Sequence, residues 1–233
     1  RDAADLLGVS QHQIAQLCRS GEVAFRRTAG NAFLVDVRSL RQYTQLRKGR
    51  GRPFGQKTAF AALWMLSGLS ADWLEYPQSR RVKIRLGRID ADSLTWLTRR
   101  RSEVRTYRGS RSFMEEIAGS LVLTGSSDAV AQRFGLTPCG DIVEGYIAKS
   151  ELSRFEADYF LVEDSEGNVV LHVADWLPDW SEAVMPAAVC AADLAASLNT
   201  RERSAGIRVL EAMLDEYARN RSNGVSSRME DPS

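Results

Sequence analysis

The sequence has few of the residues from which covalent frameworks and metal sites are built. It contains two histidines, and its three cysteines, Cys18, Cys139 and Cys190, lie far apart. An odd, scattered set of cysteines is typical neither of a disulfide framework nor of a zinc cluster. We therefore expect no metal and no cofactor, and a reducing cytoplasmic location.

Long apolar runs are also missing. The longest uncharged stretch covers the fourteen residues 58–71, "TAFAALWMLSGLSA". This is shorter than the roughly 20 apolar residues that a membrane-spanning helix needs. Hydrophobic residues make up 44% of the chain and charged residues 26%, a composition typical of a globular protein. We expect no membrane partner.

The net charge of +1 conceals a strong segregation along the chain. Residues 1–57 carry eleven Lys/Arg and four Asp/Glu, and residues 80–111 carry eleven and three. Residues 112–233 carry nine Lys/Arg and twenty-one Asp/Glu. This asymmetry indicates an anionic partner, such as nucleic acid, for the first half and a different partner for the second.

The first 46 residues predict two short helices, a hairpin and a third helix. Gly8 suits a left-handed turn between the first two helices, and Ser10 can cap the second helix. Ile14, Leu17 and Cys18 then face inward at helical spacing. "VAFRR" and "AFLVD" alternate around a turn at 28–31, which is typical of a hairpin.

The phrase "AADLLGVSQHQIAQLCRSGEV…G…FLVDVRSLRQY" resembles the excisionase/MerR-type winged helix-turn-helix family over about residues 2–46. The resemblance implies that the second helix enters the major groove and that the hairpin wing contacts the backbone or the minor groove. Glutamine is apt for the groove because its amide pairs bidentately with adenine. A helical hairpin that contacts protein is the alternative. The implied DNA-binding residues are Ser10, Gln11, His12, Gln13, Gln16, Arg19, Arg26 and Arg27.

Residues 47–57, "RKGRGRPFGQK", form a basic segment rich in glycine. Its core Arg50-Gly51-Arg52-Pro53 resembles an AT-hook peptide, in which glycine lies flat in a narrow minor groove and arginines follow the groove floor. We therefore add Arg50 and Arg52 to the DNA-binding residues. A basic interdomain linker is the alternative.

Residues 58–111 are predicted to be a helical, mostly basic segment. Phe60, Leu63, Trp64 and Leu66 form an apolar, buried helix, and further helices are expected near 79–87 and 90–102. Arg99, Arg100 and Arg101 lie at the end of the last one, where cations also suit the helix dipole. These arginines either bind DNA phosphates or dock on an acidic protein, and we include them among the DNA-binding residues.

Residues 112–221 alternate between strand and helix patterns and predict an acidic α/β domain. The order "LTGSSDAVAQRFG", "EGYIAKSEL", "GNVVLHV" and "AADLAASLNTRERSAGIRVLEAML" resembles the C-terminal region of AbiE-type (AbiEi-like) antitoxins over about residues 113–218. That resemblance implies DNA binding, repression of the protein's own operon and neutralisation of a nucleotidyltransferase-like toxin.

The same region is similar to a nucleotidyltransferase signature, in which a Gly-Ser turn holds phosphates and paired carboxylates hold metal. Gly125 and Ser126 fit the turn. Asp141 and Glu144 are three residues apart, however, and therefore point to opposite faces of a strand. The signature is degenerate, so no catalytic residue is assigned; residual activity of this set, or a plain helix cap with surface acids, stays open.

Together these patterns predict an α+β protein with a winged helix-turn-helix (1–46), a basic AT-hook-like linker (47–57), a helical basic segment (58–111), an acidic α/β domain that resembles a degenerate nucleotidyltransferase fold (112–221) and a disordered tail (222–233). We expect a cytoplasmic bacterial transcriptional regulator that binds operator DNA as the antitoxin to a cognate toxin, with a homodimer left open. The alternatives are a DNA-tethered nucleotidyltransferase and an excisionase-like recombination factor.

Overall fold

The computed structural model describes residues 2–20, 22–28, 30, 32–46, 51–138, 140 and 142–226, with side chains up to residue 221. The chain forms two compact units, residues 1–48 and 49–233. The described ranges contain helices and two β-sheets, so the protein is of mixed α+β class.

The first unit has the predicted order of two helices, a hairpin and a helix. The two strands pair antiparallel, with Phe25 opposite Val35 and Arg27 opposite Phe33. Gly8 has the predicted left-handed conformation, with φ of 63°. Buried side chains from all three helices meet in one small core, among them Ile14, Cys18 and Leu40. The elements are α1 Asp2–Leu7, α2 Gln11–Arg19, β1 Phe25–Arg27, β2 Phe33–Val35 and α3 Val37–Leu46.

The second unit wraps helices around a mixed sheet. Its elements are α4 Gln56–Leu66, α5 Tyr76–Leu86, α6 Ala91–Thr98, β3 Glu103–Arg108, α7 Met114–Gly119, β4 Val122–Leu123, α8 Asp128–Ala131, β5 Val143–Ala148, α9 Lys149–Asp158, β6 Val162–Glu163, β7 Val169–Ala174, α10 Ala187–Ala195 and α11 Thr200–Ser226. Short 3-10 turns cover Arg99–Arg101, Arg111–Phe113 and Gln132–Phe134.

The sheet of the second unit has the order β4-β5-β7-β3-β6. Strands β5 and β7 are parallel, and the other neighbours are antiparallel. Every residue of β7 is buried, as expected for a strand covered on both faces. Val169, Leu171 and Val173 pack with α7 and α9 on one face. Tyr146 of β5 packs on the other face, against α4 and α10.

Two features of the second unit differ from the sequence pattern. Strand β3 lies in the segment that was predicted to be helical, and it pairs with β7 from Glu103 to Tyr107. The helices α4, α5 and α6 share one core with α10 and α11, so residues 58–111 are not a separate domain. The high arginine content of this segment concealed the strand, because charged residues are not enriched in strands; in β3 only Tyr107 is buried.

Helix α11 continues to Ser226, so the predicted start of the tail at residue 222 falls within a helix; residues 227–233 lie outside the described range. It crosses α10 closely at Gly206, where an added Cβ would come 2.4 Å from the backbone nitrogen of Ala195. Among the helices described, none has the length and apolar character needed to cross a membrane.

Candidate nucleic-acid interface

Helix α2 begins with a capping box. The backbone nitrogen of Gln13 donates to Oγ of Ser10 over 3.2 Å, and Oε1 of Gln13 accepts from the backbone nitrogen of Ser10 over 2.9 Å. The Ser-x-x-Gln spacing satisfies two helix-end donors at once, which explains why α2 starts here. Ser10 and Gln13 were predicted to contact DNA, but the structure engages both side chains within the cap.

The remaining predicted residues of α2 are on its outer surface. Gln11, His12, Gln16 and Arg19 are exposed. Ile14 and Cys18 are buried on the opposite side of the helix, where burial raises the pKa of the Cys18 thiol. One face of α2 therefore holds the helix in the core, and the other presents amide, imidazole and guanidinium groups to solvent.

The hairpin brings two of the predicted arginines together over one aromatic ring. The guanidinium of Arg19 lies 5.8 Å, and that of Arg27 5.6 Å, from the ring centre of Phe33. The Phe33 ring is itself held edge-on against Phe25, with centroids 4.6 Å apart. Arg26, which lies between Phe25 and Arg27 in β1, is exposed. Cation–π contact fixes Arg19 and Arg27 at the junction of α2 and the hairpin.

The described end of the AT-hook-like segment is attached to the second unit. Nε1 of Trp96 donates to the carbonyl of Gly51 over 2.8 Å, and the backbone nitrogen of Phe54 donates to the carbonyl of Leu97 over 2.8 Å. Arg52, between these two anchors, is exposed. Arg50 lies outside the described residues.

The arginine triplet at the end of α6 does not form an exposed stripe. The guanidinium of Arg99 stacks 3.4 Å from the ring centre of Trp96, and Arg100 is half-buried. Arg101 is only 3% exposed and donates to the carbonyl of Thr98. The prediction that Arg101 contacts DNA is wrong, because its side chain points into the interior of the second unit.

Arg101 instead belongs to a buried polar cluster. Its guanidinium forms an ion pair with the carboxylate of Asp193, whose side chain is fully buried on α10, and it donates to the hydroxyl of Tyr146 over 2.8 Å. The Tyr146 hydroxyl donates to Asp193 over 3.0 Å, and the hydroxyl of Thr124 also donates to this carboxylate. Each charge in the cluster therefore has several partners, as burial requires.

Glu144 and His172 extend this cluster along the sheet. Oε1 of Glu144 lies 2.7 Å from Nε2 of His172, and the His172 ring stacks on Tyr146 with centroids 4.7 Å apart. Nδ1 of His172 lies 3.2 Å from the hydroxyl of Ser102 and 3.4 Å from Oδ1 of Asp193. These contacts join β5, β7 and α10 with Arg101 and Ser102, the two residues that precede β3.

The predicted Gly-Ser turn binds a carboxylate of its own chain. Oε2 of Glu144 accepts from the backbone nitrogen of Ser126 over 2.8 Å and from its hydroxyl over 2.7 Å. Gly125 has φ of 54°, and a Cβ on it would lie 2.1 Å from Cδ of Glu144. The sequence left open whether Gly125 and Ser126 form a phosphate-binding turn or a plain helix cap, and whether Glu144 keeps any residual role in activity or is a surface acid. The structure fills the turn with Glu144.

The electrostatics of the cluster follow from burial and pairing. Burial alone would raise the pKa of Glu144, but hydrogen bonds from His172 and Ser126 lower it to about 2. Burial opposes the charge on Arg101, yet Asp193 and Tyr146 raise the pKa of the guanidinium. Burial raises the pKa of Tyr146 well above its usual value and that of Cys190 to about 12. The carboxylate of Glu144 and the guanidinium of Arg101 therefore stay charged at neutral pH.

The polar groups of the buried cluster form their hydrogen bonds and ion pairs with other groups of the same chain. Among the described residues, no group of three His, Cys, Asp or Glu side chains could hold a metal ion. Asp175, a possible third acid, is exposed and paired with Lys149 over 3.0 Å; Asp141 and Cys139 lie outside the described residues. Sequence reasoning missed the roles of Asp193 and His172, although an aspartate in the alanine-rich α10 was a signal that a buried partner exists.

Comparisons with protein-family models, with curated proteins and with solved structures find no match for this chain.

Proposed function

We propose that the protein is a transcriptional regulator whose first unit binds duplex DNA as a winged helix-turn-helix, with α2 in the major groove. The observation that carries this proposal is the division of α2 into two faces. The capping box and the buried Ile14 and Cys18 fix the helix, while Gln11, His12 and Gln16 project outward. Glutamine amides on a rigid helix suit the donor and acceptor pattern of adenine.

The hairpin supports the same proposal as a wing. Arg19 and Arg27 are held over Phe33 at the junction with α2, and Arg26 is exposed beside them. Guanidinium groups at this junction suit bidentate contacts with DNA phosphates. In this proposal α2 reads bases, and the arginines fix its register on the backbone.

Replacing Gln16 with alanine is the sharpest test of this reading. We expect the Gln16→Ala variant to bind the duplex from upstream of its own gene about 1–3 kcal/mol more weakly, because a bidentate base contact is lost. Its affinity for an unrelated duplex of equal length should not change. The matched control is Gln132→Ala, an exposed glutamine of the second unit. Equal affinities of both variants and wild type for the upstream duplex would contradict the base-reading role.

We further propose that the regulator is the antitoxin of a toxin–antitoxin pair. Two features of the sequence support this: the resemblance of residues 113–218 to AbiE-type antitoxins, and the excess of twelve acidic charges over residues 112–233. An acidic surface suits a toxin that binds nucleotides or RNA and is therefore basic.

Co-expression tests the antitoxin proposal. The product of the neighbouring gene should arrest growth when it is expressed alone, and growth should recover when this chain is expressed with it. Recovery should persist in the Gln16→Ala variant, because neutralisation does not use the DNA-reading face. Growth arrest that this chain fails to relieve would contradict the proposal.

The geometry around Glu144 argues against the nucleotidyltransferase alternative. That chemistry needs carboxylates that are open to metal and a Gly-Ser turn that is open to phosphate. Both oxygens of Glu144 accept hydrogen bonds from Ser126 or approach His172. We therefore propose that this unit acts in binding rather than in nucleotidyl transfer.

A further inference from the structure

Helix α5 carries a dense set of exposed positive charges in the second unit, at positions other than the arginine triplet Arg99–Arg101. We define the α5 face as its four cations and the arginine that follows the helix. All five are exposed, and α5 itself contains no acidic residue. The residues are Arg80, Arg81, Lys83, Arg85 and Arg88.

The α5 face is not neutralised by the fold. Val82 and Leu86 bury the opposite side of the helix, so the cations are not needed to attach it. In the part of the chain that the structure describes, no carboxylate forms an ion pair with any of the five side chains. The guanidinium of Arg221, on α11, adds another positive charge where it donates to the carbonyl of Lys83.

This arrangement costs stability in the absence of a ligand. Arg81 and Arg85 are four residues apart and therefore neighbours on the helix surface, where like charges repel. The helix dipole accounts only for cations in the last turn, here Lys83 and Arg85. It does not account for Arg80 and Arg81 in the middle of the helix, or for Arg88 beyond its end.

The AT-hook-like segment joins this face. Gly51 is anchored to Trp96, and a Cβ on Gly51 would lie 3.0 Å from Nη2 of Arg85. Arg52, the next residue in the chain, is exposed. Its backbone therefore lies near the guanidinium of Arg85, and we include Arg52 with the α5 face.

We propose that the α5 face, together with Arg52, binds the phosphate backbone of duplex DNA as a second contact of the regulator. The proposal rests on the DNA-binding function proposed above. From Arg80 to Arg85 the helix advances about 7.5 Å, a length over which duplex DNA carries about four phosphate charges. Four of the five cations are arginine, which pairs with phosphate in a bidentate manner.

The test compares two triple variants of the full chain. One variant is Arg81→Ala, Arg85→Ala and Arg88→Ala. The control removes the same charge at exposed arginines of three other elements of the second unit, Arg133→Ala, Arg154→Ala and Arg201→Ala. Affinity is measured across a series of salt concentrations, on the upstream duplex and on an unrelated duplex of equal length. Equal melting temperatures check that both variants fold.

We expect the α5 variant to reduce the slope of log affinity against log salt by about 2–3 on both duplexes, because each lost phosphate contact removes about 0.9. The control should keep the wild-type slope. If the α5 variant keeps the wild-type slope, or if the control variant loses as much slope as the α5 variant, the α5 proposal is overturned. An acidic protein then becomes the better partner for this face.

The failures of the two proposals are distinguishable. If Gln16→Ala weakens binding to the upstream duplex but the α5 variant keeps the wild-type slope, only the α5 proposal fails. If the α5 variant loses slope while Gln16→Ala has no effect, only the base-reading role of α2 fails. If the wild-type protein binds neither duplex at any salt concentration, both fail.

Discussion

Replacing Asp193 with alanine should lower the free energy of unfolding by about 3–5 kcal/mol, because removing one partner of a buried ion pair leaves the other charge uncompensated. Asp193 is fully buried at its side chain, and Arg101 is nearly so. The same substitution strips the acceptor from the hydroxyls of Tyr146 and Thr124. Chemical denaturation of wild type and variant measures the loss.

An exposed ion pair on α9 provides the control. Arg154 and Asp158 pair over 3.3 Å at the surface, so Asp158→Ala should cost under about 1 kcal/mol. Combining Asp193→Leu with Arg101→Met should recover part of the loss, because neither member of the ion pair is then left buried without its partner. If Asp193→Ala were as mild as Asp158→Ala, the cluster would not hold α10 against the sheet.

Replacing Gly125 with alanine should be the second most damaging single change described here. The left-handed backbone at φ of 54° costs about 1–2 kcal/mol with any Cβ. The Cβ would also overlap Cδ of Glu144 at 2.1 Å, and such overpacking costs about a further 1–3 kcal/mol. The carboxylate cannot withdraw without losing its bonds to Ser126 and His172.

The Gly135→Ala variant is the control that separates the steric clash at Gly125 from the conformational cost. Gly135 is also left-handed, with φ of 68°, but a Cβ there would meet nothing within 4 Å. Gly135→Ala should therefore show only the conformational cost, and the difference between the two variants measures the clash. In a Glu144→Ala background that difference should shrink. Equal losses at Gly125 and Gly135 would mean that Glu144 does not occupy the turn.

The features that the sequence predicted correctly depend on local chemistry. The bounds of α2 follow from the Ser-x-x-Gln cap and from the helical spacing of Ile14 and Cys18, all within nine residues. The hairpin, the left-handed conformation of Gly8 and the apolar helix α4 are likewise indicated by residues that are neighbours in the sequence. Each can be predicted because neighbours in the sequence determine it.

The features that the sequence did not predict depend on contacts between distant residues. Arg101 and Asp193 are 92 positions apart, and nothing in a run of three arginines tells which one turns inward. Strand β3 forms because the buried β7 supplies its hydrogen bonds. The Gly-Ser turn fitted either a phosphate-binding turn or a helix cap, and its occupant, Glu144, is eighteen residues away and could be assigned only from the fold.

Binding of this chain to duplex DNA, both electrostatic and sequence-specific, is measured by a titration over a range of salt concentrations. The wild-type protein is titrated against the duplex from upstream of its own gene, and against an unrelated duplex, from low to physiological salt. We expect tighter binding to the upstream duplex, and for both duplexes a steep, linear fall of log affinity with log salt. Affinity that barely changes with salt, or no binding to either duplex, would contradict this expectation.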